Sequence, residues 1–338
     1  MSHLTAPLTD AASLEGAVGA RPATHHLKSI SDLDPHCEAI LALAPTAVVG
    51  AVAGDGTLRT GIAGGGAGTL AVAGSTSLEL PGAGALDVPD GTPAGILALV
   101  PGWGETLRVN GRLRTGDVPS LDVEEAFLHC AKATIRSRLW QGDEPAAGRA
   151  GDDPLDLVAR SPFVVLSSVD GRGEADVSPK GDPVGFVQVL DDRTFAVPDR
   201  PGNRRTDTMH NLIERDDVGM LVLVPGEERV VEARGRARLS ADPDLLALME
   251  VNGRPPKAAI VIDADHVEVR AEPLLGAARL WDPSTHVDRD ALPRATRIWV
   301  DHVKRNDDPG VAAKAARKLA NEKVLAKGID HDYRTNLY

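Results

Sequence analysis

Aromatic residues are scarce in this chain of 338 residues: four Trp, four Phe and two Tyr, 3% of the sequence. Its cores must therefore be built from Val, Leu, Ile and Ala, which suits short strands joined by many turns. Cysteine is equally sparse, and two thiols, Cys37 and Cys130, cannot form a disulfide framework. Each follows a histidine (His36, His129), which invites a zinc reading. Neighbouring residues point to different sides of a helix or strand, however, and no Cys-x-x-Cys spacing accompanies them. Buried thiols are expected, and no metal site. No apolar run reaches the length of a membrane span, and residues 1–30 hold no unbroken apolar stretch, so a cytoplasmic protein is expected. Positive charge is in deficit: 37 Lys and Arg against 49 Asp and Glu leave a net charge of −12. Nucleic acid and anionic membrane are poor partners for such a chain, because both need a basic face. A local basic pocket for one phosphate remains open.

What the chain does contain is a repeat. Gly95-Ile-Leu-Ala-Leu-Val-Pro-Gly102 recurs as Gly219-Met-Leu-Val-Leu-Val-Pro-Gly226, and at the same spacing Gly111-Arg-Leu-Arg114 falls on Gly235-Arg-Ala-Arg238. The chain reads as one fold written twice. Strands are expected at 46–52, 57–62, 69–73, 95–100 and 106–113, with 123–140 closing the first copy. The second copy repeats the order at 163–168, 175–178, 185–190, 194–197, 219–224, 229–239, 258–262 and 266–271. Helices are expected at 31–43, about 205–214 and 242–252. The result is mainly β with minor α, a small β-barrel in each half. The domains expected are an irregular leader (1–30), a first barrel (31–150), a second barrel (151–300) and a helical tail (301–338). In the tail a helix can start at Pro309 and run through Leu325, serving either as a partner-binding element or as a helix packed on the barrel with a solvated basic face.

The densest chemistry lies in the second copy. Ser178-Pro-Lys180-Gly181-Asp-Pro183 ends one strand, and Pro198-Asp-Arg-Pro-Gly-Asn203-Arg204-Arg205 ends another, with Asp207, Thr208 and Asn211 following on the helix. Cations, hydroxyls and a helix start are what a bound phosphate wants. The competing reading is that Arg200, Arg204 and Arg205 pair with Asp191, Asp192 and Asp199 on a wet surface. No Ser-His-Asp order or Walker loop competes, and the glycine run at 64–68 lacks the strand-to-helix context of a dinucleotide fold.

These motifs, together with Ser161-Pro-Phe163, Asp170-Gly171 and Gly185-Phe-Val187, resemble the pyridoxamine 5′-phosphate oxidase-like flavoproteins, which are FMN-binding split β-barrels. A branch of that family also carries stretches like Val100-Pro-Gly102, Glu105 to Arg112, His129-Cys-Ala-Lys132-Ala133 and Arg136-Ser137-Arg-Leu-Trp140. The resemblance covers about 240 residues and holds in order as well as content. A usual member is a single barrel that dimerises, with FMN across the interface. Here the early motifs are intact only in the second copy and the late ones only in the first. Aligned on the Asp-Gly turns, Lys180 falls opposite Gly65; aligned on the next strand, Arg204 and Arg205 fall opposite about Glu79 and Leu80. No Lys or Arg occurs between Arg59 and Arg108.

The resemblance therefore implies a fused pseudo-dimer with one FMN per chain between the barrels. Lys180, Arg204 and Arg205 would neutralise the phosphate, Ser178 and Asn203 would hydrogen-bond to it or to the ribityl chain, and Gly181 would permit close approach. Arg136, Ser137 and Trp140 would approach from the first barrel, with His129 and Lys132 as catalytic candidates near the ring or substrate. Arg108 and Asn110 match the family or simply sit on a strand. The expected activity is an FMN-dependent oxidoreductase acting on a small organic substrate. Alternatives are a non-catalytic flavin-binding sensor and a relative using haem or a deazaflavin. A monomer or weak homo-oligomer is expected.

Overall fold

The computed structural model describes residues 5–22, 25–141, 151, 153–202, 205–288, 290–335 and 337–338. The chain opens with β1 (Pro7–Leu8), α1 (Ala11–Val18) and α2 (Pro35–Leu43). A first sheet follows: β2 (Thr46–Val52), β3 (Leu58–Gly64), β4 (Val72–Gly74), β5 (Ser77–Glu79), β6 (Thr92–Leu99), β7 (Thr106–Arg114) and β8 (Ser120–His129), then α3 (Lys132–Ser137). The second part runs α4 (Pro154–Arg160), β9 (Phe163–Val169), β10 (Ala175–Gly181), β11 (Gln188–Val189), β12 (Thr194–Pro198) and α5 (Asp207–Glu214). It continues with β13 (Asp217–Leu223), β14 (Arg229–Ser240), α6 (Pro243–Leu248), β15 (Ala259–Ala271) and α7 (Pro273–Ala277). Three helices end the chain: α8 (Ala295–Arg305), α9 (Val311–Leu319) and α10 (Glu322–Thr335).

The strand order is the same in both halves. One sheet runs β3-β2-β6-β7-β8-β5-β4 and the other β10-β9-β13-β14-β15-β12-β11, all antiparallel. Even the bulges coincide, between Asn110 and Gly111 in β7 and between Arg234 and Gly235 in β14. They explain why the Gly-Arg-x-Arg element recurs. A Cβ on Gly111 would lie 1.9 Å from the Asp122 carbonyl oxygen, and one on Gly235 would lie 2.1 Å from that of Asp263. Only glycine lets the partner strand pass so close.

Each sheet encloses its own aliphatic core, one containing Val49, Ile96 and Val109, the other Leu166, Met220 and Val231. A third apolar cluster joins the halves: Val48, Leu97 and Leu99 meet Val165, Leu221 and Leu223. The approach is close because small residues face each other there. A Cβ on Gly50 would sit 2.3 Å from the Ser167 hydroxyl oxygen, and one on Gly219 would sit 2.5 Å from that of Thr60. Thr60 and Ser167 share a hydrogen bond of 2.9 Å. In the same seam Trp140 and Trp281 lie 6.1 Å apart, each donating its indole N–H to a carbonyl of its own half, Trp103 and Glu227.

Several expectations change. Residues 5–22 are ordered into the second half rather than forming an irregular leader: β1 pairs with β14, and Leu14 on α1 is fully buried in that half's core. The local signal was the reciprocal capping box between Asp10 and Ser13. The segment 185–190 yields only the short β11, while the two strands expected over 258–271 are one continuous strand, β15. The tail is not a single helix from Pro309. It begins inside α8, so a boundary at residue 301 cuts that helix, and it breaks again between α9 and α10.

Gly235→Ala should lower the unfolding free energy by about 1–3 kcal/mol in urea titrations, the cost of forced overpacking. Gly74→Ala, whose Cβ would meet nothing within 4 Å, should change little.

Candidate functional site

A cavity of about 570 Å³ opens between the halves. The second half supplies Ser178, Lys180 and Gly181 from β10, the loop from Pro198 to Gly202 that follows β12, and Arg205 with the start of α5. The first half supplies Arg108 from β7, His129 from the end of β8, and Lys132 and Arg136 from α3; the tail adds Asp332 and Tyr338.

Most of these cations are already held. Arg200 donates to Asp182 at 2.6 Å in a buried ion pair and to the Met249 carbonyl. Arg205 pairs with Asp207 and Glu125, and its guanidinium stacks 3.6 Å from the Phe127 ring centroid. Arg108 crosses the seam to form a buried ion pair with Asp176. Lys132 is bound to Asp332 at 2.8 Å, and Arg136 donates to the carbonyls of Leu337 and Pro201. Arg200 and Arg205 are thus paired, but with Asp182, Asp207 and Glu125 rather than the acids of the wet-surface reading, and largely out of solvent.

Lys180 differs. Among the described residues it has no ion pair or hydrogen bond, and burial lowers its pKa, with Asp199 opposing the shift. Burial likewise raises Asp199. An ammonium so placed gains from an anion that enters the cavity. The Ser178 hydroxyl is also unengaged among the described residues. Thr206, in a left-handed conformation with φ 52°, makes no side-chain cap on α5, leaving the first-turn amides of that helix available.

His129 is held neutral. Burial, reinforced by Arg108, Lys180 and Arg205, pushes its pKa down to about 3, and its Nδ1 is buried without a partner. An imidazole of that kind can give or take one hydrogen bond but does not carry positive charge near neutrality.

The predicted residues divide. Ser178, Lys180, Gly181, Arg205, His129, Lys132 and Arg136 converge on the cavity. Asn203 and Arg204 lie outside the described residues. Ser137 and Trp140 are not among the lining residues: the Ser137 hydroxyl donates to the Thr134 carbonyl within α3, and Trp140 packs in the seam. Gly181 has a different reason to be glycine, since its Cβ would lie 2.2 Å from the Ala133 carbonyl oxygen of the facing half. The residues sequence reasoning missed are Asp332 and Tyr338. The Tyr338 ring lies 5.8 Å from both the Arg136 and Arg200 guanidinium carbons. A signal existed, because both tyrosines of this aromatic-poor chain, Tyr333 and Tyr338, fall at its very end.

The equivalent position on the other side of the seam is filled. Strand register places Ala63, not Gly65, where Lys180 stands: Lys180 pairs with Val164 on β9 as Ala63 pairs with Ala47 on β2. The same comparison of β5 with β12 sets Glu79 and Leu80 opposite Ala196 and Val197 rather than opposite Arg204 and Arg205. Glu232 occupies the place of Arg108, and Arg270, tied to Glu232 and Glu272, the place of His129. Leu274 fills the space against Gly65 and Gly82. An anion would meet a leucine there and an arginine already neutralised by two carboxylates.

Residues 154–271 match the family model described as pyridoxamine 5′-phosphate oxidase. No curated protein matches the chain. Solved structures similar to it include HupZ from Group A Streptococcus, at 16% identity over 33% of this chain and 86% of the other, with a TM-score of 0.29. A putative pyridoxamine 5′-phosphate oxidase from Lactobacillus delbrueckii is 21% identical over 36% of this chain and 93% of its own, with a TM-score of 0.27. General Stress Protein 26 from Bacillus anthracis is 16% identical over 35% and 92%, with a TM-score of 0.29. Among the described residues no helix is long and apolar enough to cross a membrane.

Because the unfolded imidazole titrates near 6.5 and the folded one at about 3, the unfolded chain binds the extra proton in between. Stability should therefore fall as pH drops through that window. Thermal melts at pH 7 and pH 5 should show a shallower loss in His129→Gln than in the wild type; equal slopes would mean the imidazole is free to charge.

Proposed function

We propose that this protein is an FMN-dependent oxidoreductase that holds one flavin per chain between its two barrels and acts on a small organic substrate. One observation carries the reading: Lys180 on the second half, which has no ion pair or hydrogen bond among the described residues, faces a neutral His129 on the first, in a cavity whose equivalent across the seam is blocked. The volume suits a cofactor-sized ligand.

The donor set fits the group. Lys180, the Ser178 hydroxyl and the uncapped start of α5 would hold the phosphate, with Arg205 fixed beside them by Asp207 and Glu125. Bound there, a flavin would supply two-electron redox chemistry at its ring. His129, neutral and with Nδ1 unpartnered, would place one hydrogen bond on the ring or the substrate without adding charge. Lys132, held by Asp332, would set a fixed hydrogen-bond donor on the first-half side, and the tail would exclude water. Both halves of the site lie in one chain, so a monomer suffices. The same pocket would admit a flavin without turnover, or another planar cofactor.

Purified protein should show flavin bands, released on denaturation at about one FMN per chain, and Lys180→Ala should weaken FMN binding at least about tenfold. A colourless protein that ignores added FMN sinks the proposal, and a Soret band would assign the cavity to haem. Turnover of a reductant under air separates an enzyme from a sensor.

A further inference from the structure

Beside the large cavity lies a second, of about 230 Å³, and the two share Cys130, Lys132, Arg205 and Asp332 as a common wall. Its other walls include Phe127, Trp299 and Tyr333, three of the ten Trp, Tyr and Phe residues in the whole chain. We propose that this smaller cavity is the substrate chamber and that it takes a monocyclic aromatic carboxylate, an assignment that rests on the flavin occupying its larger neighbour.

Size limits the ligand first. A cavity of roughly 150 Å³ accommodates benzene, so this one admits a single ring with a carboxylate and excludes anything of three fused rings. Its walls suit a flat apolar body, since Phe127, Trp299 and Tyr333 line it, with Arg205 lying over the Phe127 ring and Lys28 over that of Trp299. Charge then selects the substituent. Asp332 is bound to Lys132, and Arg205 is bound to Asp207 and Glu125, so these groups largely cancel.

Lys28 is left over. Among the described residues it meets no carboxylate within ion-pair distance; its ammonium sits 4.8 Å from the Trp299 ring centroid, and burial lowers its pKa. The position of this lysine is fixed from behind, because its own carbonyl accepts from the fully buried His302, 3.3 Å away. Tyr333 adds a second donor. Its oxygen accepts the Ala131 amide at 3.0 Å, which leaves the phenolic proton for a ligand. An ammonium and a phenol without matching acceptors call for an anion, and a carboxylate is the anion that fits beside one ring in this volume.

The test is isothermal titration of the full chain, as purified, with benzoate and with benzylamine, with flavin content read from absorbance on the same samples. Benzoate should bind at one site at least about tenfold more tightly than benzylamine. Lys28→Met should lower benzoate affinity by at least about tenfold with flavin content unchanged, while Lys180→Ala should lose flavin and keep benzoate. Should Lys28→Met fail to fold by circular dichroism, Tyr333→Phe serves, expected to weaken benzoate and spare benzylamine. Equal affinity for the two probes, indifference to Lys28→Met or Tyr333→Phe, or loss of benzoate binding in Lys180→Ala would each overturn the chamber. A chain that binds benzoate through Lys28 yet holds no flavin would refute the cofactor reading and the substrate role together, leaving a bare aromatic-acid site.

Discussion

The contact between the two halves, where small side chains let two sheets meet almost backbone to backbone, is the constraint on which the rest of the structure depends. Gly50 against Ser167, and Gly219 against Thr60, set a separation that any larger residue would widen. Around those points Val48, Leu97 and Leu99 interlock with Val165, Leu221 and Leu223. The distance between Lys180 on one half and His129 on the other follows from that packing, as does the buried Arg108–Asp176 pair that crosses it. Breaking such a pair by removing one partner costs several kcal/mol, because the survivor is stranded away from water. The cavity is therefore a product of the seam and belongs to neither half alone.

Two equivalent cavities would be expected from two equivalent sheets, and among the described residues only one is usable. The reason is local chemistry at matched positions. Alanine stands at residue 63 where the other half has lysine, glutamate stands at 232 where it has arginine, and Leu274 occupies the space a ligand would need. The strand order and both bulges are the same in the two halves. Architecture tolerates these differences because each residue finds its own partner across the seam, Arg108 in Asp176 and Glu232 in the Thr60 amide.

Much of this was legible in the sequence, for physical reasons. Strand alternation and hairpin turns are local signals, so the repeated sheets could be read, and the bulge glycines left their mark in the shared Gly-Arg-x-Arg. Cations at strand ends pointed to the site. Position within a strand was less secure: counting from the Asp-Gly turns put Lys180 two residues off its counterpart, since the two turns are equally long, 53–57 and 170–174, but the dipeptide sits two places earlier in the second. Ser137 and Trp140 sat in the right motif but serve the helix and the seam. The contributions of Leu14, Asp332 and Tyr338 were hidden because each acts on a partner far away in sequence, and no spacing encodes that.

α10 forms a wall of both cavities through Asp332, and of the smaller one through Ile329 and Tyr333 as well, yet it is only partly sunk into the protein. Elements with little buried apolar surface open at a fraction of the global unfolding free energy. The ion pair between Lys132 and Asp332 and the bond from Ala131 to Tyr333 are then the fastenings that opening must break. Entry and exit of a small molecule would then follow the detachment of that one helix rather than the opening of either sheet.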